Sequence, residues 1–168
     1  MTAPQQYGGA PAEPVLVSEQ NGAVRVLRLN RPEARNVLNA ELIGALGSAL
    51  VAAETDPDVR CVILTGTGDR AFCGGMDLRS FAAEGSPRLN AGEGAAGYAR
   101  FTRGDLSVPV VGAANATAVA GGFEVLLGCD VVVVSDRAVF GLPEVKRGLF
   151  AAGGGVFIAT RIPLAVAL

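Results

Sequence analysis

Three near-continuous apolar runs constrain this chain most: residues 59–65 (VRCVILT), 108–114 (VPVVGAA) and 130–135 (DVVVVS). An apolar residue at every position, rather than at every second one, predicts a strand covered on both faces. Helical signals lie between and before these runs. Asn39 predicts an N-cap for a helix over 40–54, with Leu42, Ala45, Leu46, Ala49 and Leu50 on one face. Asp56-Pro57 ends it. Asp77 predicts the start of a short helix, and Ala120-Gly121-Gly122 turns into another over 123–127. A further helix is expected around 155–161, after a turn at Leu142-Pro143-Glu144. Strands alternating with helices define an α/β class.

Upstream, residues 15–19 and 23–29 read as two strands. Asn21-Gly22 between them predicts a hairpin, because both central turn positions favour positive φ. Residues 1–13, rich in Pro, Gly, Gln and Ala, are expected as a flexible tail, with residues 14–168 as one core. Residues 84–97, rich in Gly, Ser and Glu, are expected to be mobile. The last residues, Ala165-Val166-Ala167-Leu168, form an apolar segment with no cap. This suggests the front part of something longer, with an exposed apolar surface over 156–168.

Composition excludes several function classes. There is no histidine, which removes histidine-dependent triads, bases and metal ligands together. A net charge of −2 gives no electrostatic case for nucleic acid or an anionic membrane. Cys61, Cys73 and Cys129 are odd in number and form no CxxC pair, so neither a disulfide framework nor a zinc site is expected. No metal is expected. The uncharged run 106–123 contains Pro109, Asn115 and Thr117 and reads as buried strand plus turn rather than a membrane span. The N-terminus lacks a signal pattern, and a cytoplasmic chain is expected.

Three constellations bear on chemistry. Gly66-Thr67-Gly68-Asp69-Arg70-Ala71 matches a dinucleotide fingerprint formally, but Phe72-Cys73-Gly74-Gly75 argues against the helix that motif requires. Two glycine pairs, Gly74-Gly75 and Gly121-Gly122, each follow an apolar strand and precede a helix start. Side by side they would present a two-donor oxyanion hole; singly, each is a tight strand-to-helix turn. Glu124 lies among Phe123, Val125, Leu126 and Leu127, and Glu144 lies between apolar segments. Two such carboxylates suit general acid–base work. The alternative is structural, with Glu144 paired to Lys146 or Arg147.

The order of these motifs resembles the enoyl-CoA hydratase/isomerase (crotonase) superfamily. The resemblance is carried by Phe72-Cys73-Gly74-Gly75-Met76-Asp77-Leu78, Ala120-Gly121-Gly122-Phe123-Glu124 with Gly128-Cys129-Asp130, Phe140-Gly141-Leu142-Pro143-Glu144-Val145, and Gly153-Gly154-Gly155. Leu29-Asn30-Arg31-Pro32 with Arg35-Asn36 matches the early motif. The resemblance implies a spiral of ββα turns without its C-terminal helical region, an acyl-CoA thioester substrate, and no cofactor beyond the coenzyme A carried by that substrate. It implies an oxyanion hole from the N–H groups of Met76 and Gly121. Glu124 would handle the water and Glu144 the proton at C2. Arg35, Ala71, Cys73, Gly75, Met76, Asp77, Leu78, Arg79 and Gly121 would line the substrate. Met76 stands where many members have alanine. The implied activity is hydration of a 2-enoyl-CoA. Isomerisation, or an inactive CoA-binding or assembly module, are the alternatives. A homotrimer or dimer of trimers is implied for a complete chain.

Overall fold

The computed structural model describes residues 13–84 and 92–167. Residues 1–12 of the expected tail and 85–91 of the expected mobile segment lie outside the described residues. Strands β1 (Leu16–Asn21) and β2 (Val24–Leu29) pair antiparallel with Asn21 opposite Val24. The hairpin turn therefore centres on Gly22-Ala23, one residue later than the sequence suggests. Positive φ is needed only at Gly22, at +57°. A glycine at the first central position is the demand of a type II′ turn rather than of a type I′ turn.

Helix α1 (Ala40–Thr55) is capped as expected: the Asn39 side chain accepts from the Leu42 N–H at 2.9 Å, and the helix ends at Asp56. It is followed by β3 (Cys61–Gly66), α2 (Leu78–Glu84), α3 (Glu93–Thr102), β4 (Val110–Ala114) and β5 (Ala118–Val119). Then come α4 (Gly121–Leu127), β6 (Val131–Val134), β7 (Phe140–Gly141) and α5 (Leu164–Ala167). Tight 3₁₀ turns over Pro143–Arg147 and Gly155–Thr160 replace the expected turn at 142–144 and the expected helix at 155–161. Helix α4 starts two residues earlier than expected, at Gly121.

The main sheet runs β1-β2-β3-β4-β6, parallel from β2 to β6, and β5 pairs in parallel with β7. The core joins Leu27, Leu29, Val62, Leu64 and Val110 of the sheet to Leu42, Ile43, Leu46 and Leu50 of α1, with Phe101 of α3 and Leu126 of α4. Each fully buried side chain of this size contributes about 1.5–3 kcal/mol.

Two expectations are corrected. The glycine-rich stretch 84–97 holds the start of α3, which packs on α1. The Arg100 guanidinium grips Glu54 with two hydrogen bonds of 2.8 and 2.9 Å. The run 130–135 is not a buried strand. β6 pairs only with β4, so it is the edge of the sheet, and Val131 to Val134 are 39–61% exposed. The apolar residues downstream are exposed as expected, Val156, Phe157, Leu164 and Val166 among them.

Candidate active site

The loop after β3 forms no helix, so the formal dinucleotide fingerprint is a plain loop. Asn36 anchors it. This residue is wholly buried. Its Oδ1 accepts from the Arg31 N–H, and its Nδ2 donates to the carbonyls of Thr67 and Ala71, both at 3.0 Å. Asn115 holds the other side, accepting from the Gly66 N–H and donating to the Gly68 carbonyl.

The chain then runs between two partners. Leu38 bridges Met76, and Cys73 bridges Ala118. Leu38 N–H donates to the Gly75 carbonyl at 2.7 Å, and Asp77 N–H donates to the Leu38 carbonyl at 2.9 Å. These bonds leave the Met76 N–H between them without an acceptor among the described residues. The second glycine pair lies directly against this segment. A Cβ on Gly75 would stand 2.8 Å from the Ala120 Cβ and 3.3 Å from the Gly121 nitrogen. A Cβ on Gly121 would stand 3.6 Å from the Met76 nitrogen, and one on Gly122 would strike the Cys73 carbonyl. Only glycine permits this backbone-to-backbone approach. As the first residue of α4, Gly121 has no intrahelical acceptor for its N–H, and among the described residues it has no other. Ala120, just before it, holds φ +51° and ψ −132°, a conformation costly for a residue with a Cβ. Its N–H on the Gly141 carbonyl, and its own carbonyl accepting from Phe123 and Glu124, hold it there.

The parallel pair β5–β7 sets the two glutamates. β5 feeds Ala120 and α4, which carries Glu124. β7 feeds the 3₁₀ turn that carries Glu144. Parallel strands release their following residues at the same end, so both carboxylates arrive there together. Glu124 is only 6% exposed. Its Oε1 accepts from the Gly153 N–H at 2.7 Å and the Gly155 N–H at 2.9 Å. Burial pushes its carboxyl above the ordinary range. The two glycine N–H groups oppose that shift, and the nearby Glu144 adds to it. Glu144 forms no ion pair with Lys146 or Arg147. Its Oε2 is buried with no hydrogen-bond partner among the described residues.

A cavity of about 1020 Å³ opens beside Met76. Its wall includes Arg35, Ala71, Met76, Asp77, Leu78 and Arg79 from the expected substrate-lining set. Gly75, Gly121 and Cys73 stand behind that wall. Cys73 is fully buried, and burial pushes its thiol up to about 12, so it stays an inert core group. Arg31 and Arg70 add two cations to the wall: Arg31 enters the sequence reading only as part of the early motif, and Arg70 falls just before the assigned segment 71–79. Arg31 is committed to Asp77 at 3.1 Å. Burial raises the Asp77 carboxyl, but Arg31 and the N–H groups of Ser80 and Arg79 outweigh it and hold the group below its ordinary range. Arg35, Arg70 and Arg79 form no ion pair among the described residues, against Glu33 as the other acid on the wall. The cavity is thus cationic, with Met76 on its wall and Gly121 packed behind Met76.

This chain belongs to the enoyl-CoA hydratase/isomerase family, whose model matches residues 19–167. Among curated proteins it is similar to the carnitinyl-CoA dehydratase of Proteus mirabilis (strain HI4320). The two are 40% identical over 147 residues, which are 86% of this chain and 55% of that one. Among solved structures it is similar to a carnitinyl-CoA dehydratase from Mycobacterium avium 104, at 44% identity and a TM-score of 0.80. It is also similar to an enoyl-CoA hydratase from Mycobacterium tuberculosis H37Rv, at 38% identity and a TM-score of 0.83. Each structural match covers 92% of this chain and 60% of the other. The crotonase-type α/β fold expected from the motifs is the fold shared with these structures. The chain spans about half the length of the curated relatives it matches.

Proposed function

We propose that this chain carries the site of an enoyl-CoA hydratase, which adds water across the C2=C3 bond of a 2-enoyl-CoA thioester. One observation carries the reading: β5 and β7 pair in parallel, and the turns that follow them carry two carboxylates, one anchored and one without a partner among the described residues, with Glu124 on the helix that Gly121 opens against Met76. Addition of water at C3 places negative charge on the thioester oxygen. Two fixed N–H donors aimed at that oxygen lower the barrier, each by about 3–4 kcal/mol. Glu124 takes the proton of the attacking water, and Glu144 delivers a proton to C2. After each turnover Glu124 holds a proton and Glu144 lacks one; exchange with solvent restores both, so the reaction needs no cofactor beyond the coenzyme A of the substrate. Arg35, Arg70 and Arg79 suit the phosphates of that moiety. A complete protein would act in the cytoplasm as a homotrimer or a dimer of trimers.

The relatives named as carnitinyl-CoA dehydratases favour a second reading with the same machinery, in which water is removed from a 3-hydroxyacyl thioester. The test is spectrophotometric loss of the enoyl thioester with crotonyl-CoA, run beside carnitinyl-CoA. Glu124→Gln and Glu144→Gln are expected each to lower kcat by about 10²–10⁴ and to leave CoA binding in place. Dependence on Glu144 alone assigns an isomerase. Thioester binding with no turnover in the native chain assigns an inactive binding module. Turnover untouched by either change overturns the acid–base roles.

A further inference from the structure

The anchoring of Glu124 has a directional consequence. Its two carboxylate oxygens have different surroundings. Oε1 accepts from the N–H groups of Gly153 and Gly155, at 2.7 and 2.9 Å, while Oε2 accepts from no donor among the described residues. Two N–H groups two residues apart converging on one oxygen make a small anion-binding nest. Its geometry requires glycine three times, a Cβ on Gly155 running into the Ala151 Cβ. Gly154 takes φ +135°, and a Cβ on Gly153 would stand 2.7 Å from Glu124 Oε2. A Cβ on Gly155 would meet Leu142 Cδ1 at 3.1 Å, beside the turn that carries Glu144. The loop therefore packs beside Glu124 and beside the Leu142 side chain, two residues before Glu144.

We propose that Gly153 and Gly155 are positioning residues for Glu124, holding Oε1 so that Oε2 alone is left to do the acid–base work beside Glu144. This rests on the hydratase reading for what the work is, but the positioning itself is a property of the fold. A carboxylate free to rotate would present either oxygen to the water. A pinned one presents a single lone-pair set in a fixed direction, and a misplacement of about 1 Å costs about 100-fold in rate.

Two measurements on the full chain test this. In ¹H–¹⁵N spectra the Gly153 and Gly155 amide protons are expected downfield and slow to exchange. Glu124→Gln keeps an acceptor oxygen but not the charge, so it should hold both amides slow to exchange and leave them where protonation of the carboxyl takes them. Glu124→Ala should move both upfield and speed their exchange by more than tenfold. If Glu124→Ala does not fold, the native chain still decides: both amide protons should shift with pH as one carboxyl titrates, and Glu124→Gln should flatten that response. Amide signals that ignore Glu124 in every variant overturn the proposal. The second measurement is Gly153→Ala in the hydration assay, where kcat should fall about 100-fold with KM little changed. Its pH profile should be displaced as well, because the Gly153 N–H no longer steadies the anion. An unchanged kcat and profile alongside a Glu124-dependent activity overturns positioning and leaves the hydratase reading intact. Absent hydration with the amide signature present overturns the hydratase reading and leaves positioning intact.

Discussion

Asn36 shows how much a single side chain supports here. It sits at φ +53°, after Arg35 at +55°, in the left-handed region that asparagine tolerates better than most residues. From there it satisfies the Arg31 N–H and two carbonyls on the far loop. Replacing it with alanine strands three polar groups, that of Ala71 fully buried and the other two partly so, and keeps the backbone strain. Asn36→Ala is expected to cost about 2–4 kcal/mol in urea denaturation, with the slope unchanged. A loss under 0.5 kcal/mol would show that water replaces these bonds. The residue was visible in the sequence only as part of a motif. Its partners at 67 and 71 lie more than thirty positions away, and nothing local announces them. Glu124 was legible for the opposite reason: a carboxylate among Phe123, Val125, Leu126 and Leu127 contradicts its own surroundings. Its anchors at Gly153 and Gly155 were not legible, because backbone donors leave no mark on side-chain pattern.

The helix pair α1–α3 illustrates the same point for elements. Composition alone makes 84–97 look mobile, yet Gly94 and Gly97 are where α3 meets α1. A Cβ on Gly97 would stand 2.6 Å from the Gly47 carbonyl, and one on Gly94 would run into the Gly44 carbonyl. The glycines let two helical backbones touch, and a count of glycines cannot tell that use from flexibility. A Cβ on Gly44, by contrast, meets nothing within 4 Å. Gly97→Ala is therefore expected to destabilise the chain by about 1–3 kcal/mol, while Gly44→Ala gains about 0.5–1 kcal/mol from helix propensity. Thermal melts of the two variants should move in opposite directions. The pair is also tied electrostatically. Arg100, and then the Ser107 N–H, hold the Glu54 carboxyl at about 2. A carboxylate lowered on folding stabilises the chain fully above its unfolded value, near 4.3, and loses that contribution as pH falls toward 2. The melting temperature of the native chain should exceed that of Glu54→Gln at pH 6, and the two should converge by pH 2. A constant gap across this window contradicts the ion-pair assignment.

At the scale of the molecule, the exposed large apolar side chains gather late in the sequence. β6 exposes both faces of its valines, and Val139, Val145, Phe150, Val156 and Phe157 are exposed as well. An apolar groove of about 360 Å³, walled by Phe123, Val132, Phe140 and Ile158 among others, lies between α4 and the Gly155–Thr160 turn. Among the described residues no helix is long and apolar enough to cross a membrane. An exposed edge strand of valines is an adhesive template. The sedimentation coefficient of the chain is expected to rise with concentration. Val131→Lys with Val133→Lys, two side chains on one face of the strand, should suppress that rise. A single species at all concentrations would contradict it. The apolar run was legible as a strand, but its exposure was not. A continuous hydrophobic pattern reports that a strand is made to be covered, and says nothing of what covers it.

In the proposed hydratase, Met76 and Gly121 present two N–H groups to one thioester oxygen. Isotope-edited infrared spectroscopy of a ¹³C-carbonyl acyl-CoA bound to the full chain tests it directly, whether or not turnover follows. Two donors polarise the carbonyl and weaken its bond, so the account predicts a carbonyl stretch at clearly lower frequency than in water. A bound thioester whose stretch stays at its aqueous value, or moves higher as in an apolar pocket, would contradict it.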